Sequence, residues 1–62
     1  MLGELIVYEV CKVIGLIYYY LDNYSQARKH IRIAKIKYQE YNLEELFYNT
    51  FPNWLLSELS IE

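Results

Sequence analysis

Apolar residues in the middle of the chain recur at alternating steps of three and four. They are Tyr24, Ala27, Ile31, Ala34, Tyr38 and Tyr41. Since an α-helix has about 3.6 residues per turn, these positions fall on one face, and the spacing predicts a helix over 23–41 whose apolar stripe faces the core. Asn23 and Gln26 form a capping-box pattern at its start, in which the Asn side chain accepts a hydrogen bond from an unpaired backbone amide.

The segment before this helix, residues 2–21, is apolar around most of a predicted first helix. Its polar and amphipathic side chains fall within one arc, formed by Glu4, Tyr8, Lys12 and Tyr19. From Val13 onward the segment is apolar on almost every side. A two-helix hairpin buries only one stripe of each helix, so this segment either lies between two layers or is covered by another chain.

A short turn at Asp22 and Asn23 joins the two predicted helices, which makes them antiparallel neighbours. We treat residues 1–62 as one domain, because no Pro- or Ser-rich linker divides them. A domain of this size buries only about 60% of the surface that its unfolded chain exposes. Cys11 is the only cysteine, so no internal disulfide is available, and association into a homo-oligomer, most simply a dimer, is the expected stabiliser.

The helical pattern restarts after Tyr41. Asn42 and Glu45 repeat the capping-box spacing, and Pro52 ends or kinks the helix that they open. Residues 42–61 are therefore expected to form one or two short helices. The sequence as a whole predicts an all-α fold, in which an antiparallel helical hairpin is followed by these short C-terminal helices.

Charge is divided between two blocks of the chain. Residues 25–38 hold five cations and no carboxylate: Arg28, Lys29, Arg32, Lys35 and Lys37. Residues 39–62 hold five carboxylates and no cation: Glu40, Glu44, Glu45, Glu58 and Glu62. Oppositely charged surfaces steer approaching partners, so this division favours a binding protein over an enzyme.

The hairpin resembles one tetratricopeptide repeat over residues 8–41. The family's Leu-Gly, Tyr, Ala, large apolar and Ala positions are matched, in that order, by Ile14-Gly15, Tyr18, Ala27, Ile31 and Ala34. The resemblance departs at Cys11 and Gln39, where the family often has Trp and Pro. It implies that Gly15 and Ala27 lie where the two helices approach most closely.

The long second helix is also similar to the extended repeats of Gram-positive peptide-pheromone receptors, of the Rap type and of the phage arbitrium-receptor type. Such folds need about three repeats to be stable, and this chain has one repeat-like hairpin. The resemblance therefore implies a packing surface and no peptide-receptor groove.

No set of residues has the spacing of a catalytic or metal site. His30 and Cys11 are the only histidine and the only thiol, and a nucleophilic site also needs an orienting group and oxyanion donors. Two such side chains are too few for a structural zinc site. The sequence thus predicts no enzyme activity, no metal and no cofactor.

The apolar run over 5–21 is shorter than the roughly 20 residues that a bilayer span needs, and it contains Glu9 and Lys12. Without a signal-peptide pattern or paired cysteines, a cytoplasmic protein is expected. The excess of Tyr, Ile, Asn and Lys over Gly, Ala, Arg and Pro is typical of AT-rich coding DNA, as in a low-GC bacterium or its phage.

Two surfaces are candidate binding sites. An acidic and aromatic tail is formed by Glu44, Glu45, Tyr48, Phe51, Trp54, Leu55 and Glu58. A basic ridge on the predicted second helix is formed by Arg28, Lys29, Arg32 and Lys35. Trp and Tyr side chains clustered among carboxylates are typical of an interface core with a polar rim.

Three functional hypotheses follow. The first is a small interaction or regulatory protein that binds and modulates a partner protein, such as a signalling receptor or a transcription factor, through its helical faces and the tail. The alternative is an antitoxin-type inhibitor, encoded by a bacterium or its phage, whose tail occupies the nucleic-acid groove of a nuclease or toxin. Nucleic-acid binding by the basic ridge comes third, because the net charge is −2 and no DNA-binding motif is present.

Overall fold

The computed structural model describes residues 2–61, with the surroundings of side chains described for residues 5–61. Its helices are α1 (Leu2–Tyr20), α2 (Tyr24–Glu40), α3 (Glu44–Thr50) and α4 (Asn53–Glu58), and this range contains no strand. The long helices α1 and α2 pack against each other as a hairpin, and two short helices follow. The predicted fold class is confirmed. The surroundings of Glu4 and Glu62, which the sequence analysis also used, lie outside the described residues.

Three of the helices end with the same backbone motif. The residue after each helix cap is left-handed although it is not glycine: Asp22, Asn42 and Ser60 have φ of 61°, 58° and 59°. The next amide then donates to the carbonyl five residues back, from Asn23 to Tyr18, Leu43 to Tyr38 and Ile61 to Leu56, at 2.8–2.9 Å. This is the Schellman motif, which satisfies carbonyls at the helix end and turns the chain sharply.

The prediction that Asn23 caps α2 is confirmed for its own side chain, but the Asn23 amide donates to the Tyr18 carbonyl and not to Gln26, and the capping prediction at Asn42 is wrong. The Asn23 side chain accepts a bond of 3.4 Å from the Gln26 amide. Asn42 instead occupies the left-handed position that ends α2, and the cap residue of α3 is Leu43, which makes no side-chain capping bond. Asn is one of the few residue types that adopts this conformation at low cost, and there its side chain no longer precedes the helix directly.

The predicted core stripe of α2 is buried over its central four positions. Ala27, Ile31, Ala34 and Tyr38 have no exposed surface, whereas the outer positions are partly exposed. Helix α1 meets this stripe closely at Gly15, where an added Cβ would lie 2.5 Å from Ile31 Cγ1. The two helices therefore touch at a point where only glycine fits without displacing a core side chain.

The short helices α3 and α4 complete the core. Their buried side chains, with those of the residues that follow, are Phe47, Phe51, Leu55, Leu56, Leu59 and Ile61. The Phe47 ring lies 5.0 Å from that of Phe51 and 6.3 Å from that of Tyr38. Pro52 separates the two helices, since α3 ends before it and its carbonyl accepts the first bonds of α4. Two helices too short to be stable alone are thus held by aromatic and aliphatic packing.

We expect Gly15→Ala to destabilise the protein although alanine favours helix. Overpacking a core costs about 1–3 kcal/mol, which exceeds the roughly 0.5–1 kcal/mol that alanine gains over glycine inside a helix. Urea unfolding of the single variant should show this loss. In an Ile31→Ala background the same change should become neutral or stabilising, because the clashing atom is gone. If Gly15→Ala is equally favourable in both backgrounds, the helices do not meet at this point.

Candidate interaction surfaces

Both described charged side chains of α1 contact Tyr38 of α2, although only one of them is buried. The Tyr38 hydroxyl of α2 donates a hydrogen bond to the Glu9 carboxylate. Lys12 is buried, with its Nζ 3.4 Å from Glu9 Oε1 and 4.8 Å from the centre of the Tyr38 ring. Lys12, one member of the arc predicted for the first helix, is therefore part of the contact between the two long helices, and Glu9, which was not in that arc, lies at its edge.

This contact shifts the pKa of both acidic partners. The bond from Tyr38 lowers the pKa of Glu9 from its ordinary value, Lys12 lowers it further, and partial desolvation acts in the opposite direction. Burial, with the Glu9 carboxylate as the second cause, raises the pKa of Tyr38 above its ordinary 10.0. The folded state thus favours an ionised Glu9 bound to a neutral Tyr38.

The opposite side of α1 is apolar and exposed. Ile6, Val10, Val13, Ile17 and Tyr20 follow one another at steps of four, three, four and three, with Val7 and Leu21 beside them. Each of these seven residues, which we name the α1 face, is 49–78% exposed. The sequence analysis recognised the excess of apolar residues from Val13 onward but missed the first half of the face. The regular spacing from Ile6 was the signal that could have found it.

The structure divides the predicted acidic and aromatic tail between core and surface. Phe51 and Leu55 are buried in the core, so they are not available to a partner, and their prediction as binding residues is corrected. Trp54 is 64% exposed and Tyr48 39% exposed. In helices this short, the sequence pattern does not fix which apolar side chains face inward, and packing against α2 decides it.

The three carboxylates of the tail are exposed, and each has an evident structural role. Glu44 and Glu45 lie in the first turn of α3, where negative charge complements the helix dipole. Glu58 Oε2 accepts a hydrogen bond of 3.0 Å from the Tyr19 hydroxyl, which connects α4 to the end of α1 and raises the pKa of Tyr19. The exposed part of the tail therefore consists of two rings and these carboxylates.

The basic ridge is shorter than predicted. Lys29 and Arg32 are exposed and Arg28 is half-buried. Lys35 is only 8% exposed and lines a cleft with Tyr48 and other residues of the C-terminal segment, so it is removed from the ridge. The physical reason is that α3 and α4 fold back over its aliphatic stem, which can lie along apolar surface while the ammonium group reaches the edge.

The remaining chemically distinctive side chains have local contacts. Cys11 is a free, half-buried thiol against the core, and His30 Nδ1 lies 2.9 Å from the Gln26 carbonyl oxygen, with its ring 5.4 Å from that of Tyr18. Among residues 2–61 we find no group of three or more His, Cys, Asp or Glu side chains placed to hold a metal ion. None of helices α1–α4 has both the length and the hydropathy needed to cross a membrane.

Phe51→Ala should lower the stability of the protein much more than Trp54→Ala. Phe51 has no exposed surface, and removing a buried Phe costs about 3–5 kcal/mol. Trp54 is largely in water, so its removal should change the free energy of unfolding by no more than about 0.5 kcal/mol. Thermal melting followed by circular dichroism compares the two. A large loss in Trp54→Ala would mean that its ring packs against the fold.

Tyr38→Phe should weaken the fold and change its pH dependence. At neutral pH we expect a loss of about 1–2 kcal/mol, because the Glu9 carboxylate loses its donor. A carboxyl whose pKa falls on folding stabilises the protein above its unfolded pKa and loses that contribution as the pH falls. A phenol whose pKa rises on folding stabilises the folded protein below pH 10.0, and this contribution is lost as the pH rises further.

Urea unfolding from acidic to alkaline pH therefore tests the loss of stability in acid and the loss in alkali. Tyr38→Phe should flatten the decline in acid and the decline above pH 10.0 relative to the parent protein. Tyr48→Phe, at an exposed ring, is the matched control and should keep the parent profile. Identical profiles for the two variants would contradict coupling between Glu9 and Tyr38.

Comparison of the chain with protein-family models, with curated protein sequences and with solved structures gives no match.

Proposed function

We propose that this is a small non-catalytic interaction protein that binds and modulates a partner protein, with the α1 face as its principal contact surface. The observation that carries the proposal is the exposure of seven apolar side chains on one side of α1. Their exposed fractions correspond to roughly 800 Å², which is about what one partner contributes to a standard protein–protein interface. Apolar surface of this extent on one face is typical of an interaction site.

The distribution of charge supports the same surface. Glu9 and Lys12 are the only charged residues of α1 over 5–20, and both contact Tyr38 on the inward side. The seven residues of the α1 face are uncharged, as is typical of the central part of an interface, and the half-exposed Glu9 carboxylate lies at its edge beside Ile6 and Val13. Its steps of three and four match the ridges of a second helix, so a helical partner surface fits it best.

The antitoxin-type alternative depends on the tail reaching into a nucleic-acid groove. Phe51 and Leu55 would have to contact the partner, but they fill the core together with Phe47. Trp54 and Tyr48 are the aromatic side chains that remain exposed there. Because this is much less apolar surface than α1 offers, the α1 face is the stronger basis for partner binding.

A charge placed on the α1 face should abolish partner binding. Val10 on this face and Ile36 on α2 are equally exposed, at 49% and 50%, so Val10→Glu and Ile36→Glu form a matched pair. In pull-downs from a lysate of the cell that encodes the protein, Val10→Glu should retain at least about tenfold less partner, because it would bury an unpaired charge. Ile36→Glu should behave as the parent protein.

Circular dichroism must show that both variants keep the parent helicity before retention is compared. Equal retention by Val10→Glu and the parent protein would rule out the α1 face as the binding surface. Loss of retention in both variants would point to a surface that is not confined to α1.

A further inference from the structure

We infer that the partner on the α1 face is a second copy of this chain, which pairs its own α1 across a two-fold axis to form a dimer. The inference rests on the proposed function, since it names the occupant of the same surface. The spacing, charge and area of the α1 face support it, and so do the charges that surround the exposed isoleucines of α2.

The spacing of the α1 face is that of a two-helix contact. Val10 and Ile17 fall at one core position of a seven-residue repeat, and Ile6, Val13 and Tyr20 fall at the other. Two helices with this repeat pack side chains of one into gaps between side chains of the other. The repeat extends along α1 from Ile6 to its last residue, so the whole exposed length of the helix can take part.

A two-fold contact requires a surface that is complementary to itself. The same residues meet from both copies, so a charged group near the axis would face its own charge. The seven residues of the α1 face meet this requirement, and the half-exposed Glu9 carboxylate is held at the edge of the face by the bond from Tyr38. If a second copy covered the whole face, roughly 800 Å² from each would be removed from water, so the upper limit of about 1,600 Å² reaches the size of a standard interface.

The other exposed apolar residues of the described chain make a poorer match for the α1 face. Ile33 and Ile36 lie on α2 in the segment that carries Arg32 and Lys37, so a copy docked there would place charges at the edge of the contact. Such a head-to-tail contact would also leave one α1 face uncovered at the end of every assembly that does not close into a ring. Pairing of α1 with α1 covers both faces at once.

The two-fold axis is expected to pass near Val13. Val13 is the midpoint of the face between Ile6 and Tyr20, so it meets its own copy whether the two α1 helices run parallel or antiparallel. Val13 is 55% exposed in the single chain, so a charge placed there leaves the hairpin core intact.

Sedimentation of the full chain between about 1 and 100 µM tests the inference. The parent protein should sediment as a dimer, and Val13→Glu should raise the dissociation constant at least about 100-fold by placing two like charges at the axis. Ile36→Glu, at a similarly exposed position on α2, should remain as dimeric as the parent protein.

A cross-linking experiment tests the position of the axis without relying on a destabilising charge. Cys11→Ala removes the native thiol, and Val13→Cys is then added to it. In a glutathione redox buffer this protein should form a disulfide-linked dimer. The matched protein with Cys11→Ala and Ile36→Cys should stay largely monomeric on a non-reducing gel.

The results separate this inference from the proposed function. A parent protein that is monomeric at about 100 µM overturns pairing through α1. So does a dimer that Val13→Glu does not weaken and Val13→Cys does not cross-link. If the parent is monomeric and Val10→Glu still abolishes capture of a different protein, the proposed function stands and the occupant is that protein. If Val10→Glu also has no effect on capture, both proposals fail.

Discussion

The close approach of α1 to α2 at Gly15 is the constraint on which the rest of the structure depends. With no side chain at this position, α1 lies directly against Ile31. That proximity brings Glu9 and Lys12 within reach of Tyr38 on the facing helix, although Glu9 and Tyr38 are 29 residues apart in sequence. The same contact determines which side of α1 turns inward, and therefore which side remains uncovered. The fold and the candidate interaction surface are two results of one helix contact.

The burial of Lys12 reverses the usual relation between polarity and exposure on a surface helix. Lys12 is buried because its ammonium group has a carboxylate and an aromatic ring as partners, while its stem lies along apolar atoms. The valines and isoleucines on the other side have no such cover. A helix that buries a lysine and exposes a row of aliphatic side chains has a strong free-energy reason to associate.

Much of the fold could be predicted from the sequence, because the stripe of α2 is long and regular and the cap at Asn23 is local. The errors arose where distant parts of the chain decide the outcome. Asn42 has the composition of a helix start, but the end of α2 takes it into a left-handed turn. Lys35, Phe51 and Leu55 were assigned to surfaces, but the return of α3 and α4 over α2 buries them. The full extent of the α1 face was present in the regular spacing from Ile6, whereas the burial of Lys12 against Tyr38 depends on the facing helix and could not be read from spacing.

The Schellman endings at Asp22, Asn42 and Ser60 have a consequence for how the sequence can vary. Their closing bonds run from backbone amide to backbone carbonyl, so most side chains in these turns carry none of the turn energy. Each bond does, however, fix the number of residues in the turn, since the donor must follow its acceptor by five positions. Substitution in the turns is therefore tolerated far more easily than insertion or deletion of a single residue. The lengths of the connections are under stricter constraint than their chemistry.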